Sequence, residues 1–117
     1  MNRFGEYVRA RREALRREDA TFSVRQVAAL IGVQPSFLSK VERGHDSPPS
    51  EPKIRALAAE LDEDPDVLLA LAGKVSTDLQ DAICSRPRLF AELIRELKDL
   101  PDDAVEKTAR RVRDGKW

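Results

Sequence analysis

Residues 32–44 read GVQPSFLSKVERG, and this stretch decides the fold. Gly32 stops one helical pattern, Pro35 stands where a first helical turn tolerates a missing N–H, and Gly44 closes the segment. Leu38 and Val41 share the inward stripe of that short helix, which leaves Gln34, Ser36, Phe37, Ser39, Lys40 and Arg43 on its outward arc. No acid occurs between positions 34 and 40.

Upstream, Ser23 reads as the cap of another short helix. Gln26 three residues later makes a capping-box pattern ahead of Val27, Ala28, Leu30 and Ile31. Phe4, Val8, Arg12 and Leu15 line one face of a first helix, which frays in the charged RREDAT stretch. Downstream, HDSPPS is a surface loop and Ser50 a cap for a fourth helix carrying Ile54, Leu57, Ala58 and Leu61. Asp64-Pro65 opens a fifth, with Val67, Leu68 and Leu71, closed by Gly73. Beyond it the pattern predicts two or three more helices: one with Leu79 and Ile83, one with Leu89, Phe90, Leu93, Ile94 and Leu97, and a weak one after Pro101 with Val105, Ala109 and Val112. Strand signals are nearly absent, so the expected class is all-α.

The 117 residues suit one compact domain, or a small domain with an appendage. No run of about 18 apolar residues exists and the N-terminus is highly charged, so the expectation is a cytoplasmic protein with no membrane partner. Cys84 and His45 are each single, which excludes a disulfide framework and a Cys/His metal cluster, and no Ser/His/Asp set is expected around His45. There is no Gly-rich phosphate loop either, and Asp102-Asp103 reads as an acidic helix start. A non-enzymatic protein without cofactor or metal is therefore expected. The total of 21 Lys+Arg against 21 Asp+Glu hides an uneven distribution. Residues 1–55 hold 11 basic and 7 acidic side chains, residues 56–73 no base and 5 acids, and residues 74–117 hold 10 and 9. A neutral chain of this kind can still present a basic face to a polyanion.

Two short helices joined by a glycine-containing turn of about three residues have helix-turn-helix spacing, in which the second helix enters the DNA major groove. SVRQVAALIGVQPSFLSKVERG, with the PPSEPKIRALAAELDEDPDVLL that follows, resembles the Cro/C1-type (Xre-type) helix-turn-helix regulators over roughly Phe4 to Ala72. The resemblance implies a five-helix, lambda-repressor-like DNA-binding domain over residues 1–73 and a helical C-terminal extension over 74–117. It implies base-edge reading by Ser36, Ser39 and Lys40, with Gln34 at the helix entrance and Phe37 near a thymine methyl or the sugar-phosphate edge. Phe37 as a surface or interface residue stays open, as does a plain polar face for Ser36 and Ser39. Pro35 replaces the glutamine common there in the phage repressors, so one adenine reader is missing. Ser23, Arg25 and Arg43 are expected on phosphates, where they would set register without reading sequence.

Arg12 lies on the apolar stripe, and a buried guanidinium needs a carboxylate. The family pattern pairs it with Glu42, as a structural ion pair outside the DNA surface. Of the six arginines of the first helix, most read as a solvated face. The connection ALRREDATFS is longer than the family usually has, through a longer helix or a longer loop.

One helix-turn-helix reads few base pairs, so a homodimer on a palindromic operator is expected, with double-stranded DNA as partner and repression as the role. Leu89, Phe90, Leu93, Ile94 and Leu97 are more apolar than a surface helix requires. They are candidates for dimerisation, for binding a regulatory protein such as a toxin or metallopeptidase, or for packing within the chain. An antitoxin or adaptor module is the competing class, but such a module has no reason to keep acids away from positions 34–40.

Overall fold

The computed structural model describes residues 3–117. Among them are eight α-helices and no strand: α1 (Arg3–Arg16), α2 (Val24–Ile31), α3 (Pro35–Glu42), α4 (Glu51–Leu61), α5 (Pro65–Leu71), α6 (Thr77–Ser85), α7 (Pro87–Leu97) and α8 (Asp102–Arg113). The chain is all-α, and it divides into two compact units, residues 1–76 and 77–117.

In the first unit the helices close around one core of Phe4, Val8, Val27, Ala28, Ile31, Leu38, Val41, Ile54, Leu57, Ala58, Leu61, Leu68 and Leu69. α1 to α4 bury residues three or four apart, the pattern a small bundle needs to remove apolar surface from water, whereas α5 buries the adjacent Leu68 and Leu69 and leaves Val67 exposed. α1 packs on α3, α4 and α5, α2 on α3 and α4, and α4 on α5. Fully buried leucines such as Leu57 and Leu68 fix this arrangement, and truncating one to alanine costs about 2–5 kcal/mol.

Local chemistry sets the helix ends. Asp64 caps α5 by accepting the Asp66 N–H at 2.9 Å. α4 ends at Asp62, which adopts the left-handed conformation (φ 54°) while the Glu63 N–H donates back to Ala58 O at 2.9 Å. Ser50 occupies the cap position of α4 but makes no side-chain capping bond. α4 is instead fastened at its other end. Arg11 Nε donates to Leu61 O at 3.0 Å and lies 3.2 Å from Glu63 Oε1, and Tyr7 Oη donates to Glu63 Oε2 at 3.1 Å. That hydrogen bond, with burial and the nearby carboxylate adding to it, raises the Tyr7 pKa above its ordinary value.

The long connection after α1 is neither a longer helix nor an open loop. α1 stops at Arg16, and a 3-10 turn, Ala20–Phe22, follows. Asp19 caps it, accepting from Thr21 Oγ1 at 2.7 Å and Thr21 N at 2.9 Å. These two bonds, the hydroxyl's first, lower the Asp19 pKa. At the far end of the unit Ser76 is fully buried and Lys74 Nζ donates to Pro49 O at 3.0 Å.

The second unit consists of α6, α7 and α8, with α6 packed on α7. None of its residues is buried.

Candidate nucleic-acid interface

α2 and α3 are joined by Gly32, Val33 and Gln34. Gly32 adopts φ +76°, a conformation that L side chains rarely take, and its N–H and that of Val33 both satisfy carbonyls of the last turn of α2. Two further carbonyls are met from outside: Lys53 of α4 donates its Nζ to Ile31 O at 2.8 Å and to Gly32 O at 3.3 Å. Its charge also complements the negative end of the α2 dipole. A Cβ on residue 32 would lie 2.9 Å from that ammonium, so the turn, its glycine and Lys53 form one unit. No local pattern in the sequence marks Lys53, because its partners are 21 and 22 residues away.

Ser23 caps α2, its hydroxyl accepting the Gln26 N–H at 3.2 Å. The other half of the capping box differs from the sequence pattern. The Gln26 amide is assigned with its nitrogen toward the 3-10 turn, since its oxygen there would face only acceptors; so oriented it donates to Ala20 O at 2.8 Å and ties α2 to the connection before it. Ser23 is half-buried, and its hydroxyl is engaged in this cap; Arg25, two residues on, is exposed.

α3 is seated by Leu38 and Val41, each 1% exposed. The opposite side of the helix carries Ser36, Lys40 and Arg43, spaced i, i+4, i+7 and all exposed, with Gln34 exposed at the N-terminal entrance. Ser39 is half-buried on the edge of this row. Phe37 is half-buried too and packs against the core, so only part of its ring remains available outside. Gln34 holds the N-cap position without a side-chain capping bond. Arg43 Nε donates to Ser39 O at 3.3 Å, which lays its guanidinium along the end of α3.

The single carboxylate of α3 is turned inward. Glu42 is 4% exposed and takes two parallel hydrogen bonds from Arg12, Nε to Oε2 at 2.8 Å and Nη2 to Oε1 at 2.9 Å. Arg12 is itself 2% exposed; its Nη1 donates to Phe22 O at 3.1 Å and its Nη2 also meets Glu13 Oε1 at 3.0 Å. The bonds to Glu42 raise the Arg12 pKa against the opposing effect of burial, so the charge is held. One fork of hydrogen bonds thus ties α1, the 3-10 turn and α3 together. Its second effect is electrostatic: with Glu42 neutralised inside, the outward surface of α3 presents hydroxyls, an amide and two cations.

Arg11 and Arg12 are both committed to internal bonds, while Arg3, Arg9, Arg16 and Arg17 stay on the exposed side of the chain. Leu89, Leu93 and Ile94 of α7 are exposed, and Phe90 and Leu97 half-buried. Among the described residues no group of His, Cys, Asp and Glu could hold a metal ion, and no helix is long and apolar enough to cross a membrane.

A family model described as a helix-turn-helix domain matches residues 3–71, more than half of the chain. Neither the curated proteins nor the solved structures give a match.

Proposed function

The chain belongs to the helix-turn-helix domain family, a DNA-binding fold, and we propose that it is a sequence-specific transcriptional repressor of the Cro/C1 (Xre) type, acting as a homodimer on a two-fold operator. In this reading residues 1–73 are the DNA-binding domain and residues 74–117 an extension that serves assembly, and the protein has no catalytic role. The observation that carries it is the surface of α3, whose only carboxylate is buried against Arg12 while Ser36, Lys40 and Arg43 face outward.

A helix in the major groove meets phosphates on both sides and base edges at its floor. It favours hydroxyl or amide groups and cations, because an exposed acid is repelled by the phosphates unless it accepts from a cytosine amino group. Ser36, Ser39 and Lys40 read base edges, with Gln34 at the entrance, Lys40 directed to guanine O6 and N7, and the exposed part of Phe37 against a thymine methyl. Ser23, Arg25 and Arg43 contact phosphates, Ser23 through the start of the helix it caps. A small chain that occludes its site in this way represses by steric block.

Selection of binders from a random duplex pool tests the proposal. A two-fold symmetric motif with half-site centres about one helical turn apart, or a multiple of it, is the expected outcome. A pool that enriches no motif would turn the reading toward an antitoxin-type or adaptor module that binds protein.

A further inference from the structure

α3 has only eight residues, roughly 12 Å of helix, and its side chains reach a duplex only if the whole element is held at a fixed angle. Its C-terminal end is gripped through Glu42, which takes bonds of 2.8 and 2.9 Å from Arg12 of α1. Its N-terminal end has no such grip of its own. Gln34 makes no side-chain cap, and Pro35 brings no N–H. Pro35 also removes the donor that a continuous helix would offer to Ile31 O from four residues on. Ile31 is 4% exposed, so its carbonyl needs a partner from the protein.

Lys53 is that partner. Its Nζ donates to Ile31 O at 2.8 Å and reaches Gly32 O at 3.3 Å. The lysine is half-buried and stands next to the fully buried Ile54, so its stem rises from a fixed base on α4. One ammonium from a third helix therefore joins the last residue of α2 to the first residue of the turn. Ser36 lies four residues beyond Gly32, on the first helical turn of α3.

We propose that Lys53 is a positioning residue for base reading: it sets the α2–α3 turn, and through it the place of Ser36 and Ser39, without touching DNA. This rests on the base-reading assignment above. The hydrogen-bond window is only about 0.5 Å wide, so a turn that drifts by more than that takes a hydroxyl out of range of a base edge. Attraction between a cation and a phosphate falls off slowly with distance and tolerates the same drift. Loss of Lys53 should thus fall on discrimination between duplexes and spare the binding common to all of them.

Three full-length variants test it. Lys53→Met keeps the stem and removes the ammonium, Lys53→Arg keeps donors, and Arg55→Met removes a cation from the same helix, where its partner is Glu51 Oε2 at 3.3 Å. The first readout is amide hydrogen exchange of the free proteins by NMR. In the wild type the Gly32 and Val33 N–H groups donate to Ala29 O and Ala28 O. Lys53→Met is expected to speed exchange at these two by about tenfold or more relative to Leu61 and Leu69 in α4 and α5. The second readout is anisotropy on the selected operator and a shuffled duplex. Lys53→Met is expected to lower the ratio of the two affinities by about tenfold or more, with the log–log salt slope changing by less than about one. Lys53→Arg should recover most of both losses, and Arg55→Met should show neither.

Unchanged exchange at Gly32 and Val33, or a rise shared equally with Leu61 and Leu69, would overturn the proposal, the latter because it marks a loss of global stability. Exchange that rises locally while the affinity ratio stays at the wild-type value would overturn it too. So would equal weakening on both duplexes with a slope smaller by about one, the mark of a phosphate contact. An Arg55→Met protein that matches Lys53→Met would reduce the effect to net charge and overturn it as well. A wild type that prefers neither duplex refutes the base-reading assignment instead, and the exchange pattern then decides by itself whether Lys53 sets the turn.

Discussion

Replacing Arg12 with alanine leaves the Glu42 carboxylate 4% exposed with its two-pronged partner gone, and removes the donor to Phe22 O at 3.1 Å. A buried pair broken on one side costs about 3–5 kcal/mol, because the remaining charge is stranded rather than because the pair was strongly stabilising. In a unit of this size 1 kcal/mol moves the midpoint by roughly 4–8 °C, so the melting temperature should fall by at least about 12 °C. Thermal unfolding followed by circular dichroism measures it. The same reasoning requires that Arg12→Ala with Glu42→Gln lose less than Arg12→Ala alone, and that Arg12→Met with Glu42→Leu recover much of the loss. An unchanged melting temperature in Arg12→Ala, or a double variant worse than the single, would refute it.

Gly32→Ala should lose about 1–2 kcal/mol from the left-handed backbone and a further amount from displacing Lys53. Gly73→Ala is the control in denaturant melts, since Gly73 shares φ +76° but a Cβ there meets nothing within 4 Å, so equal losses would contradict the Lys53 contact. Lys40→Ala is expected to relax discrimination at one operator base by about 1–3 kcal/mol, and Arg25→Ala to weaken all duplexes alike and reduce the salt slope by about one, both read by binding to base-substituted operators. The Asp19 cap should persist into mild acid. Its folded pKa is depressed, so its contribution is present above the unfolded value and is lost only as pH falls through the lower folded one. The amide shift of Thr21 by NMR should therefore titrate below the ordinary value of 3.8, and a midpoint at or above it would contradict the cap.

What the sequence makes legible here is whatever depends on neighbours a few residues away. The stripes through Phe4 and Val8, Val27 and Ile31, Leu38 and Val41, and Ile54 and Leu61 are periodic, and all eight residues are buried. Gly32, Pro35, Asp64 and Pro65 mark ends because their effects on φ and on the free N–H groups are local. Lys53 was illegible for the opposite reason: a lysine near the start of α4 looks solvated until α4 is laid beside the end of α2. Arg11 hides in the same way, its acceptor Leu61 O lying 50 residues on. Gln26 has the type and spacing of a capping box, yet the preceding 3-10 turn offers its amide a nearer acceptor. Phe37 belongs on the outward arc by its wheel position, but the side of the ring reaches back to the core, a matter of side-chain length that a wheel does not record. α8 looked weak because it has few apolar residues; its acidic start and basic end complement the helix dipole and support it instead.

The most direct test of base reading by α3 is fluorescence anisotropy on the selected operator and a shuffled duplex, titrated at several salt concentrations. The wild type is compared with a variant carrying Ser36→Ala, Ser39→Ala and Lys40→Ala. The wild type should prefer the operator by about a thousandfold or more, with a log–log salt slope equivalent to several phosphate contacts. The variant, with its buried seat of Leu38 and Val41 intact, should lose most of that preference and keep most of the salt-dependent binding common to both duplexes. A variant that still distinguishes the operator as the wild type does would contradict the assignment of α3 as the reading helix.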